Sequence, residues 1–134
     1  MFRKRLLYWL PALCWASVIF HMSTRSSFPQ PPFWFENMDK VIHFILFGTL
    51  SGFVFFALKV GHGMRFPVAA LLAVLISSAY GGSDEIHQLF TAGRSSDPRD
   101  WVADTLGACT VFLFAFIPQR KSPPAIVPYG LRKM

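Results

Sequence analysis

The sequence predicts an all-α fold: an integral membrane bundle of four transmembrane helices with both termini in the cytoplasm. Of the 134 residues, 53% are hydrophobic and 15% are charged, whereas about 25% of the residues of a typical soluble domain are charged. Mean hydropathy is positive, at +0.41. Four apolar stretches follow one another along the chain. Most of the basic residues lie beside the stretch ends that would face one side of a membrane. A chain of this size is expected to form one membrane domain.

The first apolar stretch predicts a helix over about residues 6–22. The basic run 3–5 precedes it, as in a signal peptide. However, Trp9 and Pro11 interrupt the stretch, and no clean Ala-x-Ala cleavage pattern follows it. We therefore interpret it as an uncleaved membrane helix.

Glycine and proline residues indicate where the three later helices pack closely, bend or begin. Gly48 and Gly52 form a GxxxG pattern, which in membrane helices often marks close packing. The pair Gly81-Gly82 could loosen or bend its helix. Asp97 stands before a proline, which predicts a helix cap followed by proline at the first helical position. The three helices are predicted over about residues 39–59, 65–88 and 98–118.

The basic residues predict the orientation in the membrane. Nine of the thirteen Lys and Arg lie at the amino terminus, in the second loop or at the carboxy terminus, namely Arg3, Lys4, Arg5, Lys59, Arg65, Arg120, Lys121, Arg132 and Lys133. The positive-inside rule then places both termini in the cytoplasm and the loops 23–37 and 85–99 outside. The membrane domain is expected over residues 1–122, and the tail 123–134 is expected to be disordered.

The net charge of +6 does not indicate nucleic-acid binding. The basic residues flank apolar stretches, and the chain has no basic helix or aromatic stacking platform. The lipid bilayer is the expected partner, and the oligomeric state stays open. Cys14 and Cys109 lack the CxxC or Cys/His spacing of a structural zinc site. No cofactor and no metal are expected.

The acidic residues gather at one level of the predicted bundle. All seven fall on the outer side, namely Glu36, Asp39, Asp84, Glu85, Asp97, Asp100 and Asp104. Asp39 and His43 are four residues apart and share a helix face. Because His43 lies inside an apolar run, where an ionisable side chain is costly, its presence indicates a functional site.

The second part of this predicted site comes from the end of the third helix and the start of the fourth. Asp84 shares a face with Gln88, whereas Glu85 points about 100° away. Arg94 lies in the loop and offers a planar fork suited to a phosphate or a carboxylate. Asp104 lies one turn inside the fourth helix, on the face of Asp100, where solvent exposure is a poor explanation for a carboxylate.

Together these motifs resemble the VanZ-like family of small membrane proteins. The residues that carry the resemblance lie within residues 39–110: Asp39, Lys40, His43, Asp84, Glu85, Gln88, Arg94, Asp100 and Gly107. The family commonly has Asn where this chain has Asp104. The resemblance implies a multi-pass protein of the bacterial plasma membrane with a role in the cell envelope. The family is named for a member linked to resistance to the glycopeptide teicoplanin.

Three hypotheses follow for the outer-face site. In the first, it binds an anionic lipid head group or an envelope precursor, through the ligand-binding residues Asp39, Lys40, Asp84, Gln88, Arg94, Asp100 and Asp104. In the second, it is a membrane enzyme acting on a lipid-linked envelope substrate, with His43 or Glu85 as general base and Arg94 stabilising negative charge. A metal-dependent version would use His43, His87 and nearby carboxylates, but no HExxH-like spacing supports it. In the third, the charges form a purely structural network of buried ion pairs.

Overall fold

A computed structural model describes residues 2–25 and 35–117 of the chain. All regular secondary structure in these residues is helical, as the sequence predicts. The α-helices are α1 (Phe2–Leu7), α2 (Leu10–Ser23), α3 (Met38–Phe56), α4 (Phe66–Gln88) and α5 (Pro98–Cys109). A π-helical turn (Ala57–Gly61) extends α3, and a 3-10 helix (Thr110–Phe116) extends α5.

Three helical stretches are long and apolar enough to cross a membrane: Arg5–Ser23, Met38–Gly61 and Phe66–Gln88. The fourth predicted helix differs, because it is α-helical only to Cys109 and continues as a 3-10 helix. At about 1.5 Å per α-helical and 2.0 Å per 3-10 residue, these two segments together measure roughly 32 Å. The predicted tail, and the proline-rich part of the first predicted loop, lie outside the described residues.

Proline marks the starts of three helices. Pro11, Pro67 and Pro98 lie in the first turns of α2, α4 and α5. A backbone N–H at this position has no partner within the helix, so proline costs nothing there and its fixed φ favours the helix. The predicted cap of α5 is confirmed, since Asp97 Oδ1 accepts the backbone N–H of Arg99 at 2.9 Å.

The core forms around α3, which contacts α2, α4 and α5. Phe47 and Leu50 of α3 are buried against Ile19 of α2 and Ala73 of α4. On the outside of the bundle, large apolar side chains are more than half exposed, among them Leu13, Ile45, Leu75 and Leu113. An apolar surface of this kind is suited to lipid.

Small residues bring the backbones of α3 and α5 together. A Cβ atom at Gly107 would overlap the backbone carbonyl of Phe44, and a Cβ atom at Gly48 would lie 3.0 Å from the carbonyl oxygen of Gly107. The close packing predicted from the GxxxG pattern is therefore present at Gly48. This approach places the start of α5 beside the start of α3, where the polar side chains lie.

Candidate functional site

Polar side chains meet where three helix ends come together: the start of α3, the end of α4 and the start of α5. We call this set the polar cluster. It consists of Asp39, Lys40 and His43 from α3, Glu85 from α4, Asp97 at the α5 cap, and Asp100 and Asp104 from α5. It brings together residues that are up to 65 positions apart in the sequence.

Lys40 holds the exposed side of the polar cluster together. Its Nζ lies 3.0 Å from Asp39 Oδ2, 3.0 Å from Asp97 Oδ2 and 2.9 Å from Asp100 Oδ1. An ammonium group has three donors, and here each one meets a different carboxylate. The Arg99 backbone N–H, together with Lys40, holds the pKa of Asp97 below its usual range.

His43 and Asp104 form a buried pair below this ion cluster. His43 Nδ1 lies 2.9 Å from Asp104 Oδ1, and the two side chains are 12% and 0% exposed. An ionised carboxylate can only accept, so Nδ1 is the donor and a neutral imidazole keeps its lone pair on Nε2. His43 Nε2 lies 4.0 Å from Asp100 Oδ2. The imidazole is thus held by Asp104 on one side, and Asp100 lies near its other nitrogen.

Glu85 reaches the same place from the end of α4. Its Oε2 accepts hydrogen bonds from Ser96 Oγ at 3.0 Å and from the backbone N–H of Asp97 at 2.9 Å. These two bonds fix the carboxylate against the loop that leads into α5. Glu85 is buried, with 6% of its surface exposed.

Glu85 and Asp104 each have one buried oxygen without a hydrogen-bond partner in the described part of the chain. Within residues 2–25 and 35–117, no donor reaches Glu85 Oε1 or Asp104 Oδ2, although both atoms are buried. Buried polar atoms are usually satisfied, and an exception calls for an explanation such as strain, catalysis or an ion. One potential ligand atom from each of His43, Glu85 and Asp104 lies within 4.8 Å of the others.

A family model described as VanZ/LLP1 matches residues 6–119 of the chain. The chain belongs to the VanZ/LLP1 family. No curated protein and no solved structure matches it. The family match extends beyond the stretch 39–110 that carries the sequence resemblance and includes the first helix. Together with the three apolar helices, it identifies a multi-pass membrane protein.

Asp84 and Gln88 of this VanZ/LLP1 chain lie on another face of α4. Gln88 Nε2 donates to Asp84 Oδ2 and to Ser23 Oγ, both at 3.2 Å. The predicted division of this helix end is therefore present: Asp84 pairs with Gln88, and Glu85 turns toward α5. The buried Asp84–Gln88–Ser23 group links α4 to the end of α2. These hydrogen bonds do not connect it to the polar cluster.

His87, at the end of α4, and Arg94, in the loop that follows, make other contacts. The imidazole of His87 packs on Phe20 of α2, with ring centroids 5.0 Å apart. It is His43, not His87, that the structure groups with two carboxylates. Arg94 is half-buried in the loop before α5, where its backbone N–H donates to Thr91 at 3.1 Å.

Ser96 is a member of the site that sequence reasoning missed. It binds Glu85, 11 residues earlier in the chain. A serine beside a helix cap is common, and no spacing rule connects it to a carboxylate at the end of the preceding helix. The same holds for Ser23, 65 residues from its partner Gln88.

Proposed function

We propose that this VanZ/LLP1 protein binds the head group of a lipid-linked cell-envelope precursor at the polar cluster. In this proposal the chain crosses the membrane four times, both termini are cytoplasmic, and the cluster faces outward. The distribution of basic residues supports this orientation. The observation that carries the proposal is the pair of buried oxygens, Glu85 Oε1 and Asp104 Oδ2, without a donor in the described part of the chain.

These two oxygens argue against a purely structural network. A network that only fastens helices together gains nothing from a buried acceptor that is left without a partner, and such an atom costs about 1–3 kcal/mol. Lys40 is different, since three carboxylates surround it. The exposed side of the cluster is thus satisfied, whereas the two oxygens on the buried side can each accept a further hydrogen bond.

The head group of a lipid-linked precursor combines phosphates with hydroxyl or amide groups, and both kinds suit the residues here. Hydroxyl and N–H donors can satisfy the carboxylate oxygens. Arg94 is the predicted contact for the phosphate. The proposed extracytoplasmic location also agrees with the link between glycopeptide resistance and the member for which the family is named.

A second candidate function is an enzyme acting on the same lipid-linked substrate. The 2.9 Å contact between His43 Nδ1 and Asp104 Oδ1 favours it, because a buried carboxylate that fixes an imidazole is a common device for orienting a catalytic histidine. In this alternative, Glu85 or His43 is the general base and Arg94 stabilises developing negative charge. Glu85→Gln would then abolish conversion of the substrate but leave its binding intact.

Native mass spectrometry of the full-length protein in mild detergent tests the binding function. A polyprenyl diphosphate is added to the wild type, to Arg94→Ala and to Arg99→Ala, whose exposed side chain makes it a matched control. We expect the wild type and Arg99→Ala to retain the lipid, and Arg94→Ala to bind it at least about tenfold more weakly, the loss of a charge-assisted contact. Equal retention by all three would exclude Arg94 as the phosphate contact, and no retention by the folded wild type would overturn the proposal.

A further inference from the structure

We propose that His43, Glu85 and Asp104 bind a first-row divalent transition metal ion, and that this ion receives the phosphate of the head group. The second half of this proposal rests on the proposed function. The first half, metal binding itself, stands on the geometry of the three side chains and is tested without any lipid.

The three side chains converge from three different helices. One potential ligand atom from each of His43, Glu85 and Asp104 lies within 4.8 Å of those from the other two. Metal–ligand distances of about 2.0–2.2 Å place two ligand atoms of one ion roughly 3–4 Å apart. Because His43 Nδ1 donates to Asp104 Oδ1 at 2.9 Å, the Nε2 lone pair is the imidazole's ligand for an ion. Only small side-chain shifts would be needed to enclose an ion.

A second observation points independently to a ligand. Asp104 is 0% exposed and Glu85 is 6% exposed, and each has a buried oxygen with no hydrogen-bond partner among the described residues. The second oxygen of Asp104, Oδ1, accepts a hydrogen bond from His43. The second oxygen of Glu85, Oε2, accepts hydrogen bonds from Ser96 and from the backbone of Asp97. Carboxylates that ligate metals are commonly oriented in this way by outer hydrogen bonds.

The ligand types select the class of metal. Imidazole together with two carboxylates suits Zn²⁺, Mn²⁺ or Fe²⁺, whereas Ca²⁺ and Mg²⁺ prefer oxygen ligands alone. Three protein ligands leave at least one coordination position for a water or a phosphate oxygen. Asp100 Oδ2, at 4.0 Å from His43 Nε2, lies next to this open side.

A bound cation also explains how an acidic cluster can accept an anionic head group. Among the described residues here, the acids outnumber the bases even when Arg94 is counted: Asp39, Glu85, Asp97, Asp100 and Asp104 stand against Lys40, His43 and Arg94. Lys40 already meets three of these carboxylates. A divalent ion would offset two buried negative charges and present positive charge to a phosphate.

Metal titration of the purified full-length protein tests the site. The protein in mild detergent is stripped with EDTA, dialysed, and titrated with Mn²⁺, with free Mn²⁺ measured by electron paramagnetic resonance. The variants are Glu85→Gln and Asp104→Asn, and Glu36→Gln serves as the control because it removes an exposed carboxylate before α3. Thermal unfolding of each protein with and without Mn²⁺ shows which variants are folded and whether the ion stabilises them.

We expect the wild type and Glu36→Gln to bind Mn²⁺ with equal affinity and to unfold at a higher temperature in its presence. Glu85→Gln and Asp104→Asn should bind at least about tenfold more weakly. Absence of Mn²⁺ binding by the folded wild type, or equal binding by all variants, would overturn the proposal. If the wild type binds lipid equally well after EDTA treatment, the ion does not receive the head group, although the proposed lipid binding would stand.

Discussion

Gly81 of α4 lies directly against the carboxylate of Asp104 in α5. A Cβ atom at Gly81 would come within 2.6 Å of Asp104 Oδ2 and within 3.0 Å of its Cβ. The absence of a side chain at Gly81 therefore makes room for a fully buried carboxylate. The Gly81-Gly82 pair does not interrupt α4, which is helical from Phe66 to Gln88.

Gly81→Ala should therefore disturb the polar cluster, although Gly81 is not one of its members. The added methyl group should displace the Asp104 carboxylate, lower the stability by about 1–3 kcal/mol and weaken Mn²⁺ binding. Gly82→Ala is the matched control, since its Cβ would lie 3.6 Å from Trp101, an ordinary contact. It should be neutral, or stabilising by up to about 1 kcal/mol through helix propensity. Intrinsic tryptophan fluorescence during heating measures the stability of both variants. Equal changes in stability for the two substitutions would contradict this account.

Gly107→Ala should prevent the approach of α5 to α3. Its Cβ would overlap the backbone of Phe44, with the Phe44 Cα only 2.9 Å away, and a backbone cannot rotate aside as a side chain can. We expect little folded protein in size-exclusion chromatography from detergent. Gly52→Ala, whose nearest neighbour would be the Phe114 ring at 4.0 Å, should elute as the wild type does. Recovery of normal amounts of folded Gly107→Ala would show that the α3–α5 contact is wrong.

Lys40→Met should destabilise the protein at neutral pH, because three carboxylates lose their shared cation. The cost should be about 1–3 kcal/mol, and Lys59→Met, at the other end of the same helical stretch, should cost less. Because the pKa of Asp97 lies below its ordinary value of 3.8 in the folded protein, its contribution is present above about pH 4 and is lost as the pH falls through the folded-state pKa.

The difference in unfolding temperature between the wild type and Lys40→Met should therefore shrink on acidification below about pH 4. Thermal unfolding at pH 7 and at lower pH measures this difference. A difference that stays constant with pH would show that Lys40 stabilises the protein by packing of its aliphatic chain rather than by its ion pairs.

Much of the fold could be predicted from local sequence. The apolar stretches and the proline at position 98 indicate the helices, because both signals act within a few residues. The 3-10 end of the last helix could not be predicted, since the apolar run Thr110–Phe116 suits an α-helix equally well. Residue spacing likewise predicted that Asp84 and Glu85 separate onto different faces, as the structure confirms.

The sequence could not predict which residues of different helices pair with each other. Helical spacing shows which residues share a face, but it does not show which helix that face meets. Lys40 and Asp97 are 57 residues apart, and His43 and Asp104 are 61 apart. Their pairing depends on the close α3–α5 approach at Gly48 and Gly107. For the same reason the grouping of His43, Glu85 and Asp104 matches no short metal motif.

The most direct test of whether the polar cluster is a ligand site rather than a structural network is the stability of Asp104→Asn in EDTA. Asparagine keeps an oxygen to accept from His43 and removes a buried negative charge close to Asp100. If the site is built for a ligand, the metal-free variant should unfold at the same temperature as the wild type or up to about 4 °C higher. A structural ion-pair network predicts the opposite, and a fall of several degrees would contradict the account.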